Sequence, residues 1–216
     1  MKVAILGTGQ VAIDLAKGFI SRGHSVVFGT RDVQGEKAVK AVATVAGSSA
    51  APYAQAAAQA DMAVLATAWS GTQYAVQLTS NAALKGKLLI DVTNPLDFST
   101  GKPALALGFP QSAGAKIQEW LPDAKVVKAF NIITSSRMID PKFADGEADM
   151  FIAGNDAAAK QQTANLLKAF GWRSAMDMGD ISKSYLLEAL AMTWIEFGVS
   201  RNHWSHGISL LGAQPA

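Results

Sequence analysis

Short apolar runs alternate with amphipathic stretches along almost the whole chain, and that alternation predicts a series of strands and helices. Val3 to Leu6 is continuously apolar, as suits a strand buried on both faces. Gly7-Thr8-Gly9 interrupts it. Val11, Leu15 and Phe19 then recur four residues apart, which predicts a helix that Gly23-His24 ends. Ser25 to Phe28 reads as a second strand, so one β-α-β unit is complete within the first 28 residues.

The same rhythm continues. Glu36–Val45 and Ala54–Ala60 read as helices, Met62–Thr67 as a strand and Thr72–Leu78 as a helix. Lys87–Val92 is a strand running into Asp91-Val92-Thr93-Asn94-Pro95. Leu96 to Pro110 has no regular pattern and is longer than an ordinary connection, which marks it as a functional loop. Ser112–Leu121 reads as a helix, and Lys125–Phe130 and Met150–Ala153 as strands. Asp156–Phe170 is an amphipathic helix with Asn155 as its expected N-cap and Gly171 just past its end. Arg173–Met178 is a last strand, and Ser182 to about Trp204 a long C-terminal helix. The order implies an α/β fold with a mostly parallel sheet covered on both faces. Residues 1–181 would form that domain, and 182–216 a small helical extension packed on it.

Composition narrows the function. Half of the 216 residues are hydrophobic and the net charge is only +2, which points away from nucleic acid and membrane surfaces as partners. The chain has no cysteine, so disulfides, thiolate nucleophiles and Cys-ligated metals are excluded. No apolar run approaches the ~18 residues of a membrane span. Met1-Lys2 leads straight into a strand with no signal-peptide pattern, so a cytoplasmic location is expected.

Gly7-Thr8-Gly9-Gln10-Val11-Ala12 fits G-x-G-x-x-G/A between a strand and a helix, the setting of a dinucleotide-binding turn in a Rossmann-type doubly wound fold. Gly7 permits the sharp turn, Gly9 lets backbone approach a pyrophosphate, and Ala12 keeps the helix close to the strand. The positive end of the helix dipole then faces the phosphates. An acid at the tip of the second strand would select NAD by bonding the ribose 2′-hydroxyl. This chain reads Phe28-Gly29-Thr30-Arg31-Asp32, with a hydroxyl and a guanidinium at the tip. Arginine matches a phosphate, and Lys37 lies one turn into the next helix, so NADP is the expected cofactor. Asp32 is read as the cap of that helix.

These features resemble the coenzyme F420-dependent NADP oxidoreductases and the related cytosolic domain of the STEAP metalloreductases. The resemblance rests on the residues from Met1 to Gly9, on Gly29-Thr30-Arg31 and on Ala66-Thr67-Ala68-Trp69. It extends through Asp91 to Pro95, Val126-Val127-Lys128-Ala129-Phe130-Asn131, and Ser184 to Leu190. It implies that Gly7, Thr8, Gly9, Gln10 and Val11 surround the phosphates and that Thr30, Arg31 and Lys37 hold the 2′-phosphate. It further implies that Ala68, Trp69, Asn94, Pro95 and Ala129 line the path to the nicotinamide. The archaeal enzymes carry an extra glycine in the first turn and a histidine near the position of Asn131; this chain has neither and leans toward the bacterial and STEAP-like members. The acceptor is left open between a flavin and an F420-type deazaflavin.

Other chemistry is thin. His203 and His206 are three apart but have no thiolate or carboxylate company, so no metal site is expected. Trp194 and Trp204 read as packing residues. Asp91 ends a strand where it would orient a loop. No catalytic side chain is assigned, because hydride transfer between two bound rings needs none. Two rival readings stand: an NADP-dependent dehydrogenase or imine reductase, and a non-catalytic NADP-sensing module. The segment from Tyr185 to Trp204 is apolar on more than one helical face, which predicts a homodimer.

Overall fold

A computed structural model of the chain describes residues 1–212. The apolar runs become a single eight-stranded sheet. Its strands are β1 (Lys2–Leu6), β2 (Ser25–Thr30), β3 (Ser49–Pro52), β4 (Met62–Leu65), β5 (Leu88–Asp91), β6 (Lys125–Lys128), β7 (Met150–Gly154) and β8 (Ala175–Asp177). They lie in the order β8-β7-β6-β5-β4-β1-β2-β3. The order reverses at β1, where Leu6 is paired with Gly29 of β2 on one side and Leu65 of β4 on the other. That reversal opens a crevice at the carboxyl edge, where doubly wound sheets bind their ligands.

The helices are α1 (Gln10–Ser21), α2 (Glu36–Thr44), α3 (Tyr53–Ala58), α4 (Trp69–Thr79), α5 (Asn81–Leu84), α6 (Ala113–Trp120), α7 (Ala157–Ala169) and α8 (Ser184–Arg201). Side chains alternate across β1 with a period of two. Val3 and Ile5 join a core with Leu15 and Phe19 of α1, Leu166 of α7 and Leu187 of α8. Ala4 and Leu6 join a second core with Ala56 and Ala57 of α3, Val76 of α4 and Ile117 of α6. The two cores are the two covered faces of the sheet.

The sheet is mostly parallel, as expected; only β7 and β8 run against the rest, because β7 pairs antiparallel to β6, with Ala153 opposite Lys128. Three expectations need correction. Strand β3 escapes the periodicity because it is short, lies at the sheet edge and ends in Pro52. The N-cap of α7 is Asp156, which accepts from the Ala159 amide at 2.8 Å, and Asn155 instead accepts from the Ile181 amide. Finally, α8 stops at Arg201, capped by Asn202 in the left-handed region, and does not reach Trp204.

The chain then doubles back as a strap. The Trp194 indole N–H donates to the His206 carbonyl, and the Asp149 amide to that of Ile208. A side chain on Gly198 would place Cβ 2.7 Å from the Trp204 ring, so the helix has glycine where the strap crosses it. Leu187 and Ala191 sit in the same core as β1, so α8 packs directly on the sheet domain. Residues 213–216 of the expected 182–216 extension lie outside the described residues. Among the described residues no helix is long and apolar enough to cross a membrane, and no three potential metal-ligating groups come together.

Candidate cofactor site

Three strand ends build the crevice. After β1 the chain turns at Gly7, with φ of +128°, and its amide donates to the Gly29 carbonyl at 3.0 Å. Gly9 is the N-cap of α1 and supplies no side-chain cap. A Cβ on Gly9 would meet nothing within 4 Å, so it would project into open space. No acid lies in the first turn of α1, and the amides of Gln10, Val11 and Ala12 have no acceptor among the described residues. Ala12 is fully buried, which lets the helix lie against the sheet. Free amides at the positive end of a helix dipole form an anion site, so the cradle fits a pyrophosphate.

A cleft of about 750 Å³ runs from this turn between α2 and α4. Gly7, Thr8 and Gly9 border it, as do Thr30, Arg31, Lys37 and Ala68. Arg31 and Lys37 make no hydrogen bond or ion pair among the described residues, so both charges are available to a ligand. Thr30 is buried, and its hydroxyl donates to the Asp32 carbonyl. Asp32 and Glu36 also border the cleft. Asp32 does not cap α2, whose N-cap is Gly35; its carboxylate instead accepts from the Gln34 amide at 2.9 Å in a local turn. Burial pushes the Tyr53 hydroxyl above its ordinary pKa, against the opposing pull of the nearby Arg31 charge. Thr30 and Arg31 at the tip of β2, with Lys37 in the first turn of α2, suit a phosphate on the adenosine ribose.

The remaining sequence candidates lie elsewhere. The Gln10 side chain donates to Asp14, and Val11 packs on the core, so each offers the crevice only its backbone amide. The Trp69 ring stacks on Trp120, with centroids 5.9 Å apart and planes 20° apart, and does not border the cleft. Asn94, Pro95 and Ala129 gather at the ends of β5 and β6. Asn94 donates to the Asn131 carbonyl at 2.8 Å, and the Asn131 amide donates back to Asn94 at 3.0 Å. Pro95 is buried and accepts from the Ala106 amide, while Ala129 has no exposed surface.

Beneath this pair lies a cluster that sequence reasoning did not assemble. Lys128 is fully buried, with its ammonium 2.8 Å from Asp91, 3.0 Å from Glu188 and 2.6 Å from the Thr93 carbonyl. Burial alone would lower its pKa, but the two carboxylates outweigh that and hold it above the ordinary lysine value. Glu188 also accepts from the Ala113 and Gly114 amides at the start of α6. The visible signal was a lysine inside the apolar run Val126 to Phe130 and an acid ending another strand. Their partner on α8 lies 60 residues beyond Lys128 and has no local signature.

The protein-family model described as NADP oxidoreductase, coenzyme F420-dependent, matches residues 2–95. The F420-dependent NADP reductase of Methanothermobacter marburgensis is 29% identical over 223 residues, covering 97% of this chain and 98% of that protein. Rat metalloreductase STEAP3 is 30% identical over 192 residues, and there the chain spans about a third (36%) of the relative's length. Among solved structures, a candidate F420-dependent NADP-reductase from Arthrobacter sp. FB24 superposes with a TM-score of 0.92 at 35% identity, covering 99% of this chain and all of that one. A Streptomyces aurantiacus imine reductase superposes at 0.66 with 16% identity, a likeness of fold alone. The chain therefore belongs to the family of coenzyme F420-dependent NADP oxidoreductases and is an NADP-dependent oxidoreductase.

Proposed function

We propose that the chain passes a hydride between NADP(H) and a diffusible flavin or F420-type deazaflavin. The observation that carries this reading is an open glycine cradle at Gly9 sharing one cleft with Arg31 and Lys37, which are unpaired among the described residues. Thr8, Gly9 and the amides of Gln10 and Val11 would hold the pyrophosphate, and Thr30, Arg31 and Lys37 the 2′-phosphate. The nicotinamide half would then extend past the reversal of strand order, over the ends of β4, β5 and β6. When bound, NADPH supplies a hydride from its ring, and the acceptor takes it with a proton from water. The protein contributes alignment and exclusion of water, so no side-chain acid or base is assigned.

The acceptor would dock beneath the Leu96–Pro110 segment. That segment carries a small hairpin, Leu96–Asp97 with Ala104–Leu105, lying between α4 and α8. Phe98 and Phe109 on it are 61% and 77% exposed, and either ring could stack on an isoalloxazine. No second G-x-G turn occurs in the sequence, which favours a freely exchanging acceptor over a tightly held one. Leu186 and Phe197, three turns apart on one face of α8, stay exposed, which favours a homodimer through that helix. Light scattering at micromolar concentration tests that point, and a monomer would refute it.

The functional test is NADPH oxidation by the colourless purified protein, with and without added FMN, riboflavin or F420. Turnover only with such an acceptor is expected. Inertness toward all of them with activity on an imine or ketone would move the protein to the dehydrogenase reading. Tight NADP binding without any turnover would make it a sensing module.

A further inference from the structure

The buried Lys128 joins three elements that are distant in sequence. Asp91 ends β5, Lys128 ends β6, and Glu188 comes from the second turn of α8. All three side chains are at most 1% exposed. An ionic cluster taken wholly out of water contributes little net stability, and a well-packed apolar replacement is often as stable. Its geometry, however, is specific at every atom. Asp91 Oδ2 faces the ammonium, while its Oδ1 accepts from both the amide and the hydroxyl of Thr93. The ammonium also binds the Thr93 carbonyl, so the first residue of the β5 exit loop but one is held at three points. One residue further on, Asn94 is locked to Asn131 from the β6 exit, and Asn131 donates again to the Leu187 carbonyl of α8. Leu187 and Glu188 thus brace both exit loops from one turn of one helix.

We infer that Lys128 and Glu188 are positioning residues, which set the height and separation of the Asn94 and Asn131 loops and through them the seat of the nicotinamide half. The inference rests on the cofactor reading above. It places the adenosine half, held by Arg31 at β2, and the nicotinamide half, above β5 and β6, on independent supports. Neither support shares a hydrogen bond with the other among the described residues. Weakening the brace should therefore loosen one end of the dinucleotide and leave the other end as it was.

The experiment compares Glu188→Gln with the parent by calorimetric titration against two probes, NADPH and 2′,5′-ADP, which lacks the nicotinamide half. The variant should bind 2′,5′-ADP as the parent does and lose about fivefold on NADPH, the worth of one hydrogen bond. With FMN or F420 as acceptor, kcat should fall about 10- to 100-fold, as misplacement of reacting atoms does. The deuterium isotope effect from 4-deuterated NADPH should rise at the same time. Thr93→Val, which removes one hydroxyl bond and leaves every charge in place, should move each readout the same way by less. Equal loss on both probes, or an unchanged isotope effect with activity scaling to the folded fraction, would reduce the cluster to a structural role. If Glu188→Gln does not fold, Thr93→Val alone decides by the same criteria. Failure of the parent itself to bind 2′,5′-ADP would instead overturn the cofactor reading.

Discussion

Gly7 lies so close to Ala66 that a Cβ on it would sit 2.3 Å from the Ala66 carbonyl oxygen. The contact joins the exits of β1 and β4, and the glycine's φ of +128° would strain any other residue. Gly9, two residues on, has ordinary extended backbone and open space where a side chain would go. The two glycines should therefore fail differently. Gly7→Ala should lose at least about 1–3 kcal/mol from backbone strain, lowering the melting temperature by several degrees. Gly9→Ala should melt with the parent but bind NADPH poorly, because its methyl group occupies the phosphate cradle. Differential scanning calorimetry paired with NADPH titration separates them, and a destabilised Gly9→Ala would contradict the geometry.

Arg31 has no hydrogen-bond or ion-pair partner among the described residues to lose, so its removal should cost little stability. A charge-assisted bond to phosphate is worth roughly 1.5–3 kcal/mol, so Arg31→Ala should weaken NADPH about 10- to 100-fold and leave NADH nearly unchanged. Lys37→Ala should act in the same direction. Fluorescence titrations with both nucleotides measure this, and parallel losses on NADH and NADPH would show that Arg31 does not read the 2′-phosphate.

Trp69 stacks on Trp120, away from the cleft. Trp69→Leu should lower stability by about 0.5–1.5 kcal/mol beyond the loss of buried area, the value of an aromatic pair. NADPH affinity should stay within about threefold of the parent's, a change of under 1 kcal/mol. A larger loss of affinity with an unchanged melting temperature would return Trp69 to the cofactor site.

Asp149 pins the C-terminal strap. Burial works to raise its pKa, but Arg173 at 2.6 Å, the Ser174 hydroxyl at 2.6 Å and the Leu210 amide at 2.8 Å prevail and hold it below the ordinary 3.8. The carboxylate is thus more acidic folded than unfolded. Its contribution is present in full at neutral pH and fades as pH falls through 3.8 and below. Acid titration should release the strap late, read as a change in Trp194 and Trp204 fluorescence. Asp149→Asn should show the released signal already at neutral pH. An identical titration curve for the two proteins would remove Asp149 from that role.

The sheet and its first glycine turn were legible because both are local. Val3 to Ala12 encodes strand, turn and helix start within ten residues, and the Thr30-Arg31 tip follows directly from the second strand. What escaped was encoded across distance or against the local pattern. β7 has the same apolar signature parallel or antiparallel, and only its pairing with β6 sets the direction. The brace at Lys128 needs Glu188, whose place beneath the sheet edge is settled by Leu187 and Ala191 packing on the core. The end of α8 depends on Asn202 accepting a left-handed conformation and on Trp204 seating over Gly198. An apolar pattern running past both residues conceals that stop.

The alanine bias of the chain acquires a mechanical meaning on one face of the sheet. There Ala4, Ala63, Ala56, Ala57 and Ala60 fill the space between the strands and α3. Side chains this small act as thin shims that seat a short helix low on the sheet. Tyr53, the first residue of α3, forms part of the cleft wall beside Arg31. The width of the cleft beside Arg31 is therefore gauged from below by methyl groups that do not line it. A single valine at Ala56 would act as a thicker shim, tilting α3 and with it the Tyr53 wall of the cleft.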